Sequence, residues 1–189
     1  MNKITTTSGL KIYIRPELPT EHTEVNDLIN RAFTDSYGAS EGINMTNRFK
    51  EERTKDTFIP ELSLVAVLEN GKIVGQVTLY ETDIITDNGK NTQLVLSQSA
   101  VSPDYRMNGI MRELVVFSLN KAKEMGYLAV FLGGPVDIYG RFGFEPSYKH
   151  GIHHVKSDEV EGYKEGYMVC MLTPGALGGI TGTTSYYGG

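Results

Sequence analysis

The sequence predicts a domain of mixed α+β and α/β class, built on a mixed, mostly antiparallel sheet. Two Asn-Gly pairs, Asn70-Gly71 and Asn88-Gly89, separate apolar strand-like runs and are strong hairpin signals. Further along, an apolar run at residues 94–101 is followed by a turn, a helical pattern and a second apolar run at residues 127–132. A strand, helix and strand in this order normally form a right-handed crossover between parallel strands. The sheet therefore combines antiparallel hairpins with a parallel pair.

The length of 189 residues suits one domain with a substantial core. Hydrophobic residues make up 40% of the chain and charged residues 22%, which is ordinary for a soluble globular protein. The sequence shows no internal repeat and no long linker. We therefore assign residues 1–173 to a single domain, and residues 174–189 to a Gly-rich, loosely structured C-terminal tail.

Charge and cysteine content argue against several classes of protein. A net charge of −5 disfavours general nucleic-acid binding, which needs a basic face, and mildly favours cationic amines as substrates. No apolar run approaches the ~20 residues of a membrane span, and the first residues lack the apolar stretch of a secretory signal. Cys170 is the only cysteine. An internal disulfide is therefore ruled out, and we expect a cytoplasmic protein.

The first half of the chain alternates strand and helix patterns. Residues 10–15 alternate apolar and polar side chains, as a half-buried strand does. A helix capped by Thr20 or Thr23 follows, and we expect a loop at residues 38–42 and a second helix at about 44–53. The expected buried face of the first helix consists of Val25, Leu28, Ile29, Ala32 and Phe33. Two further strands are predicted at residues 62–68 and 72–85.

The second half begins with the predicted crossover. Pro103 ends the strand at residues 94–101, and a helix is expected from Ile110 to Met125, closed by Gly126. After the strand at 127–132, a short helix at residues 136–141 and a closing strand at 167–172 complete the pattern. Cys170 in that last strand is predicted to be a small buried residue.

The turn before the long helix has the composition of an anion site. A helix start presents unpaired N–H groups and the positive end of the helix dipole, and both favour phosphate. Gly109 allows a ligand to approach the backbone closely, while Arg106 and Arg112 can donate charge-assisted bonds to phosphate oxygens. A turn with one glycine is, by itself, more often a plain connection.

Two motifs together resemble those of a known family. Arg106-x-x-Gly109-x-Met111 resembles the Gln/Arg-x-x-Gly-x-Gly/Ala signature of the GNAT superfamily of acetyl-CoA-dependent N-acetyltransferases. The segment from Tyr139 to Phe144 is similar to the Tyr-x-x-x-Gly-Phe motif that follows about thirty residues later in that family. The order of elements agrees over most of the chain. Met111 departs from the signature, which has a small residue at this position.

The resemblance implies a fold and a cofactor site. The fold would have a central sheet of six to seven strands, about four helices and a V-shaped opening between two parallel strands. Acetyl-CoA would be the co-substrate, and no metal is implied. Backbone groups of Ser99, Ala100 and Val101 would bind its pantetheine. The diphosphate would bind at the turn, formed by Arg106, Met107, Asn108, Gly109, Ile110, Met111 and Arg112.

The resemblance also implies an activity, namely direct transfer of acetyl from acetyl-CoA to a primary amine in a ternary complex. Tyr139 would be the acid that protonates the departing thiolate, because a phenol with a pKa of ~10 is protonated at neutral pH. An ammonium group must lose a proton before it attacks. Glu81 is the candidate base, with Asp83 as a second option.

Other interpretations stay open. The same fold could serve a non-catalytic acyl-CoA or small-ligand sensor, or an enzyme with a different acyl donor. The expected acceptor is a small-molecule or peptide amine, with no nucleic acid or membrane involved, and a homodimer is a further option. The tail could fold over the acceptor cleft, pair with another subunit or be disordered. Four side chains have two open interpretations. They line the acceptor site, or they belong to the core and the surface: Phe33, Tyr37, Met45 and Phe49.

A histidine-rich segment, with His150, His153 and His154, raises the question of a metal site. In an extended chain, His153 and His154 face opposite sides. His150 and His154 share a side but lie ~13 Å apart, at ~3.3 Å per residue. We therefore expect no metal site there.

Overall fold

The computed structural model describes residues 2–157 and 162–185 of the chain. The chain forms two compact units. The first comprises Met1–Leu79 and Ser97–Ser118, and the second comprises Tyr80–Leu96 and Leu119–Gly189.

The described residues contain ten strands and five α-helices. The strands are β1 (Asn2–Thr5), β2 (Lys11–Pro16), β3 (Phe58–Leu68), β4 (Ile73–Thr86), β5 (Gly89–Val101), β6 (Ala129–Gly133), β7 (Glu145–Pro146), β8 (Ile152–His154), β9 (Tyr167–Met171) and β10 (Gly182–Thr184). The helices are α1 (His22–Tyr37), α2 (Ala39–Glu52), α3 (Ile110–Glu124), α4 (Val136–Tyr139) and α5 (Tyr163–Gly166). Strands β4 and β5 and helix α3 each contribute residues to both units.

In the first unit the strand order is β1-β2-β3-β4-β5. Strand β2 lies antiparallel to β1 on one side and to β3 on the other, with Ile14 opposite both Asn2 and Ala66. The alternation predicted for residues 10–15 is confirmed, because Ile12 and Ile14 are buried while their polar neighbours are not. Strand β1 was not predicted, since four residues with one apolar side chain carry no readable period.

Helices α1 and α2 cover a core in this unit. The apolar face predicted for α1 is confirmed, with Val25 and Ile29 fully buried. They pack in one cluster with Phe49 of α2 and apolar side chains of the sheet strands. Phe49 is therefore core, whereas Tyr37 has 72% of its surface exposed. Phe33 and Met45 are partly buried against the same cluster.

The loop expected at residues 38–42 is wrong, because α1 ends at Tyr37 and α2 begins at Ala39. Gly38 alone makes the break, with a φ of +96°. Gly42 lies inside α2, where a Cβ atom would be 2.1 Å from Thr34 Oγ1 and 2.7 Å from Asn30 O. The second glycine therefore serves the close approach of two helices, not a loop.

A buried ion pair connects α2 to the start of α1. Arg53 donates two parallel hydrogen bonds to Glu17, at 2.8 and 2.9 Å, and their side chains are only 7% and 3% exposed. The remaining Arg53 nitrogen donates to Asn26 Oδ1 at 2.6 Å, and the guanidinium lies 3.9 Å from the centre of the Phe49 ring. Ser63 donates a further bond to Glu17. The charges are thus paired and hydrogen-bonded, as burial requires.

In the second unit the order is β4-β5-β6-β9-β7, and β10 pairs with both β4 and β8. Strands β5 and β6 are parallel, with Leu94 opposite Val130 and Val95 opposite Phe131. Strand β9 is antiparallel to both β6 and β7. The predicted mixed, mostly antiparallel sheet is confirmed, and so is the burial of Cys170.

The expected loose tail is partly ordered. Thr183 and Thr184 of β10 pair with Ile85 and Ile84 of β4, and Thr184 is fully buried. The Thr184 hydroxyl lies 2.8 Å from the Tyr167 hydroxyl. The sheet has ten strands in the described residues, against six to seven expected, because β7, β8 and β10 are only two or three residues long. Such short strands pair through the backbone and leave no periodic signal.

Within the described ranges, no helix is long and apolar enough to span a membrane.

Replacement of Arg53 by Ala should lower the free energy of unfolding by about 3–5 kcal/mol, because it leaves the Glu17 carboxylate buried without its partner. Urea unfolding measures the change. The matched control is Arg31→Ala, whose pair with Asp104 is 57% and 60% exposed. It should change stability by no more than about 1 kcal/mol. Equal effects in the two variants would contradict this account of the Glu17–Arg53 pair.

Candidate functional site

The segment between β5 and α3 is an irregular turn with two left-handed residues. After Ser102, Pro103–Tyr105 form one 3₁₀ turn. Met107 then has a φ of +62° and Gly109 a φ of +78°. The first hydrogen bond of the following helix runs from Glu113 N to Gly109 O, at 3.2 Å. The N–H groups of residues 110–112 thus have no acceptor within the helix, and they form its positive end.

The carbonyl oxygens of this turn are bound by the protein itself. The Asn108 side chain donates from Nδ2 to Tyr105 O and to Arg106 O, both at 3.1 Å. The hydroxyl of Ser8, in the turn between β1 and β2, lies 3.2 Å from Asn108 O. These contacts engage the negative ends of three peptide groups. The N–H groups of Tyr105 and Arg106 donate to Ser102 O and Pro103 O, so the N–H groups at the start of α3 are those left for a ligand.

The side chain of Arg106 is hydrogen-bonded to helix α1. Its guanidinium donates to Asp35 Oδ2 at 2.5 Å, to Ala32 O at 2.9 Å and to Ser36 Oγ at 3.1 Å. The side chain therefore fixes the turn against the helix, and its contact with phosphate stays a prediction. Arg112 is 58% exposed, with its Nε 3.8 Å from Glu113.

Gly109 is the point of closest approach in the turn. A Cβ atom built on it would lie 2.6 Å from Thr7 Oγ1 and 3.4 Å from Thr7 N. Any other residue would meet this contact and would also have to adopt a positive φ. Met111, the residue that departs from the family signature, is half-buried in the first turn of α3. Met107 is 98% exposed.

The end of β5 contains the three residues predicted to bind pantetheine. Ala100 is buried, while Ser99 and Val101 are half-buried. Ser97 precedes them and donates to the buried carboxylate of Glu52, at 3.1 Å from Oε2. The first unit thus contains all the predicted cofactor residues, from Ser99 to Arg112. Tyr139 and Glu81 belong to the second unit.

Tyr139 ends the short helix α4 and is half-buried. Its ring centre lies 6.1 Å from that of Phe144, in an edge-on arrangement, and 6.5 Å from that of Phe142. A Cβ atom on Gly134 would be 2.6 Å from Cε2 of the ring. The Tyr-x-x-x-Gly-Phe segment therefore folds back on itself and fixes the tyrosine ring between its own aromatic residues and Gly134.

The two candidate bases have different surroundings. Glu81 accepts a hydrogen bond from the Tyr127 hydroxyl at 2.7 Å. Burial, followed by this contact with Glu81, raises the pKa of Tyr127 to about 12. Asp83 accepts from Thr92 at 2.6 Å and from Lys90 at 2.9 Å, and these two bonds hold the pKa of Asp83 below its usual value. A carboxylate stabilised in its charged form is a weaker base, which counts against Asp83 in that role.

Some residues at the site gave no signal in the sequence. The hydroxyls of Thr7 and Ser8 meet the turn from a hairpin about a hundred residues earlier in the chain. Glu52 and Ser97 meet although 45 residues separate them. Contacts of this kind follow from the tertiary fold and have no local pattern. In the parts of the chain that the structure describes, no group of three or more His, Cys, Asp or Glu side chains is placed to hold a metal ion.

Comparison with protein families gives one model match that covers most of the chain. Residues 13–147 match the model described as an acetyltransferase (GNAT) domain. The uncharacterized N-acetyltransferase YhbS of Escherichia coli K12 is 30% identical over 175 residues, which are 92% of this chain and 95% of the relative. The uncharacterized N-acetyltransferase YjhQ of the same organism is 28% identical over 127 residues, 67% of each chain.

Solved structures show the same fold. The crystal structure of YhbS from Escherichia coli in complex with CoA superposes with a TM-score of 0.76 at 28% identity, covering 93% of this chain and 89% of the other. A GNAT family acetyltransferase from Brucella melitensis, in complex with acetyl-CoA, has a TM-score of 0.67 at 20% identity, with coverage of 94% and 96%. At that identity the second structure supports the fold alone.

Substitution of Tyr127 by Phe should give a pH-dependent loss of stability. Because the folded-state pKa of Tyr127 is raised from 10.0 to about 12, the stabilisation is complete below pH 10 and is lost as the pH rises towards 12. The difference in unfolding free energy between wild type and Tyr127→Phe should therefore shrink over that range, as measured by urea unfolding. Tyr37→Phe, at a residue 72% exposed, is the control. A difference that stays constant to about pH 12 would contradict the raised pKa of Tyr127.

Proposed function

Because this chain belongs to the GNAT family of acetyltransferases, we propose that it transfers an acetyl group from acetyl-CoA to a primary amine by direct attack in a ternary complex. The observation that carries the proposal is the turn before α3, with its carbonyls bound and its N–H groups available. The CoA present in the structure of YhbS supports the choice of cofactor.

The diphosphate of acetyl-CoA is assigned to the turn from Arg106 to Arg112. The backbone N–H groups there are the main ligands, aided by the dipole of α3. Arg112 is the exposed cation that can add a bond to a phosphate oxygen. The Arg106 guanidinium bonds to Asp35 and the Arg106 N–H donates to Pro103 O, so the proposed contribution of Arg106 is to hold the turn in place.

Pantetheine is assigned to Ser99, Ala100 and Val101. The turn follows β5 directly, so a cofactor with its diphosphate at the turn extends back along this strand towards its N-terminal end. The parallel register of β5 with β6 ends at Val95 and Phe131, whereas β5 continues to Val101. Backbone groups beyond the register are the proposed partners of the pantetheine amides.

The chemical step moves two protons off the acceptor nitrogen and one onto the leaving sulfur. The ammonium form of the acceptor loses one proton to Glu81, directly or through water, and the neutral nitrogen then attacks the thioester carbonyl carbon. The C–S bond breaks and the thiolate takes the proton of Tyr139, while the nitrogen releases its second proton as the amide forms, which restores the Tyr139 hydroxyl. The hydroxyl of Tyr127, protonated at neutral pH, donates to the Glu81 carboxylate and holds it in place. Bringing the two substrates together supplies much of the rate.

The acceptor is assigned only by class, as a small-molecule or peptide amine, because acceptor walls are built from loops. A single buried cysteine is consistent with our assignment of the protein to the cytoplasm.

One observation favours a second candidate, a non-catalytic acyl-CoA or small-ligand sensor. Arg106 is used to fix the turn, and Met111 stands where the signature has a small residue, so phosphate contacts are fewer than the motif suggests. Calorimetry with acetyl-CoA and detection of free thiol with a panel of amines separate the two. The enzyme should bind acetyl-CoA and release thiol only when an amine is present. Binding without release would favour the sensor, and absence of binding would remove both the transferase and the acyl-CoA sensor.

Replacement of Tyr139 by Phe should lower kcat by roughly 10²-fold, because the thiolate loses its proton donor. Affinity for acetyl-CoA should stay nearly unchanged, as measured by calorimetry on the same preparation. Tyr13→Phe removes a hydroxyl from β2, which the mechanism does not use, and serves as the control. A Tyr139→Phe enzyme with the wild-type rate would show that Tyr139 is structural.

A further inference from the structure

The turn between β1 and β2 is closed by its own hydrogen bonds. Thr6 N donates to Leu10 O at 2.9 Å, and Gly9 N donates to Thr6 O at 2.9 Å. Leu10 N also donates to the Thr6 hydroxyl, at 3.2 Å, and Thr6 is buried. The backbone at Thr7 and Ser8 is therefore held at both ends before it meets any other part of the chain.

Ser8 connects this hairpin to the turn before α3. Its hydroxyl oxygen lies 3.0 Å from Asn108 Oδ1 and 3.2 Å from Asn108 O, both of which accept. The single Ser8 proton is shared between them, so the Thr6 hydroxyl, 3.1 Å away, must donate to Ser8. Donation thus runs from Leu10 N–H through Thr6 and Ser8 to Asn108, and each bond in such a chain strengthens the next.

Asn108 transmits this contact to the rest of the turn. While its Oδ1 accepts from Ser8, its Nδ2 donates to the carbonyl oxygens of Tyr105 and Arg106. The amide plane is thereby fixed at both ends. Loss of the Ser8 bond would leave the Asn108 amide held at its Nδ2 end alone, which weakens its hold on the two carbonyls.

Thr7 makes the second contact. Its Oγ1 occupies the space that a side chain at position 109 would need, 2.6 Å from the Cβ position. Gly109 has a φ of +78° where it meets Thr7, a conformation that glycine adopts without strain. The next residue begins the first turn of α3. The hairpin therefore fixes how closely Gly109 approaches Thr7. Through Asn108 it also fixes the direction of the carbonyls of Tyr105 and Arg106.

We propose that Thr7 and Ser8 are positioning residues for the cofactor, acting through Gly109 and Asn108 to orient the N–H groups that bind the diphosphate of acetyl-CoA. This inference rests on the proposed function. Because the hairpin fixes the diphosphate end of the cofactor, its loss weakens acetyl-CoA binding. The reaction of the bound thioester and the binding of the amine are unaffected.

The first test removes the Ser8 hydroxyl. Ser8→Ala should raise the Kd for acetyl-CoA by about two- to tenfold, the effect of one hydrogen bond, with a parallel rise in KM for acetyl-CoA. The kcat at saturating acetyl-CoA and the KM for the amine should stay at the wild-type values. Ser8 is exposed, so the variant should fold normally. Ser40→Ala, at an exposed serine of α2, is the matched control and should leave Kd unchanged.

The second test is a double-mutant cycle at the Thr7 contact. Gly109→Ala should weaken acetyl-CoA binding by more than about tenfold, since the new methyl group displaces the turn. Thr7→Gly in the same chain should recover part of that loss, because it removes the hydroxyl that the methyl group meets. Gly71→Ala is the control for backbone strain alone, since Gly71 has a φ of +87° and no atom within 4 Å of its Cβ position.

The outcomes separate this inference from the proposed function. Wild-type protein that fails to bind acetyl-CoA refutes the proposed function and this inference with it. Wild-type binding with an unchanged Kd in Ser8→Ala, or with no recovery in the Thr7→Gly and Gly109→Ala double variant, refutes the inference alone. A fall in kcat at saturating acetyl-CoA in Ser8→Ala would also refute it, since a positioning residue for binding leaves that rate intact.

Discussion

The orientation of three peptide carbonyls determines which backbone polar groups the turn between β5 and α3 presents to a ligand. The oxygens of Tyr105, Arg106 and Asn108 all accept hydrogen bonds from protein side chains. The N–H groups of Tyr105 and Arg106 are also engaged, with Ser102 O and Pro103 O, so the donors left for a ligand are those at the start of α3. Positive potential at this place therefore comes from backbone orientation and the dipole of α3 as much as from basic side chains. This suits a protein with a net charge of −5, in which a phosphate site cannot rely on overall charge.

The first unit supports this turn from two directions. Helix α1 holds Arg106 through Asp35, Ala32 and Ser36, while the β1–β2 hairpin holds Asn108 and Gly109. Arg53, the residue after α2, in turn donates to Asn26 of α1 and to the buried Glu17. A site formed by loop backbone needs such fixed supports, because flexible N–H groups would lose orientational freedom with each binding event.

The sequence predicted those parts of the fold in which one pattern runs for ten residues or more. Helix α3 and strand β4 were predicted to within one residue of their observed ends, and β5 to its last residue. The buried face of α1 was predicted, but its cap was wrong, because Glu21 and neither Thr20 nor Thr23 is the N-cap residue. Two motifs at a fixed separation identified the family. Short strands escaped prediction because two or three residues show no period. Gly42 was wrongly assigned to a loop, because sequence alone does not distinguish a glycine that allows two helices to approach closely from one that forms a loop. The role of Arg106 was also hidden, because its partners lie about seventy residues away.

The C-terminal segment protects an edge of the sheet. Strand β10 covers Ile84 and Ile85 of β4 on one side and β8 on the other, and Ile85 is itself 53% exposed. Without β10, the backbone of β4 there would be an open, apolar strand edge, which is the kind of surface on which unrelated chains add strands and aggregate. Shortening the chain before Gly182 would thus expose this edge and lower the solubility of the protein.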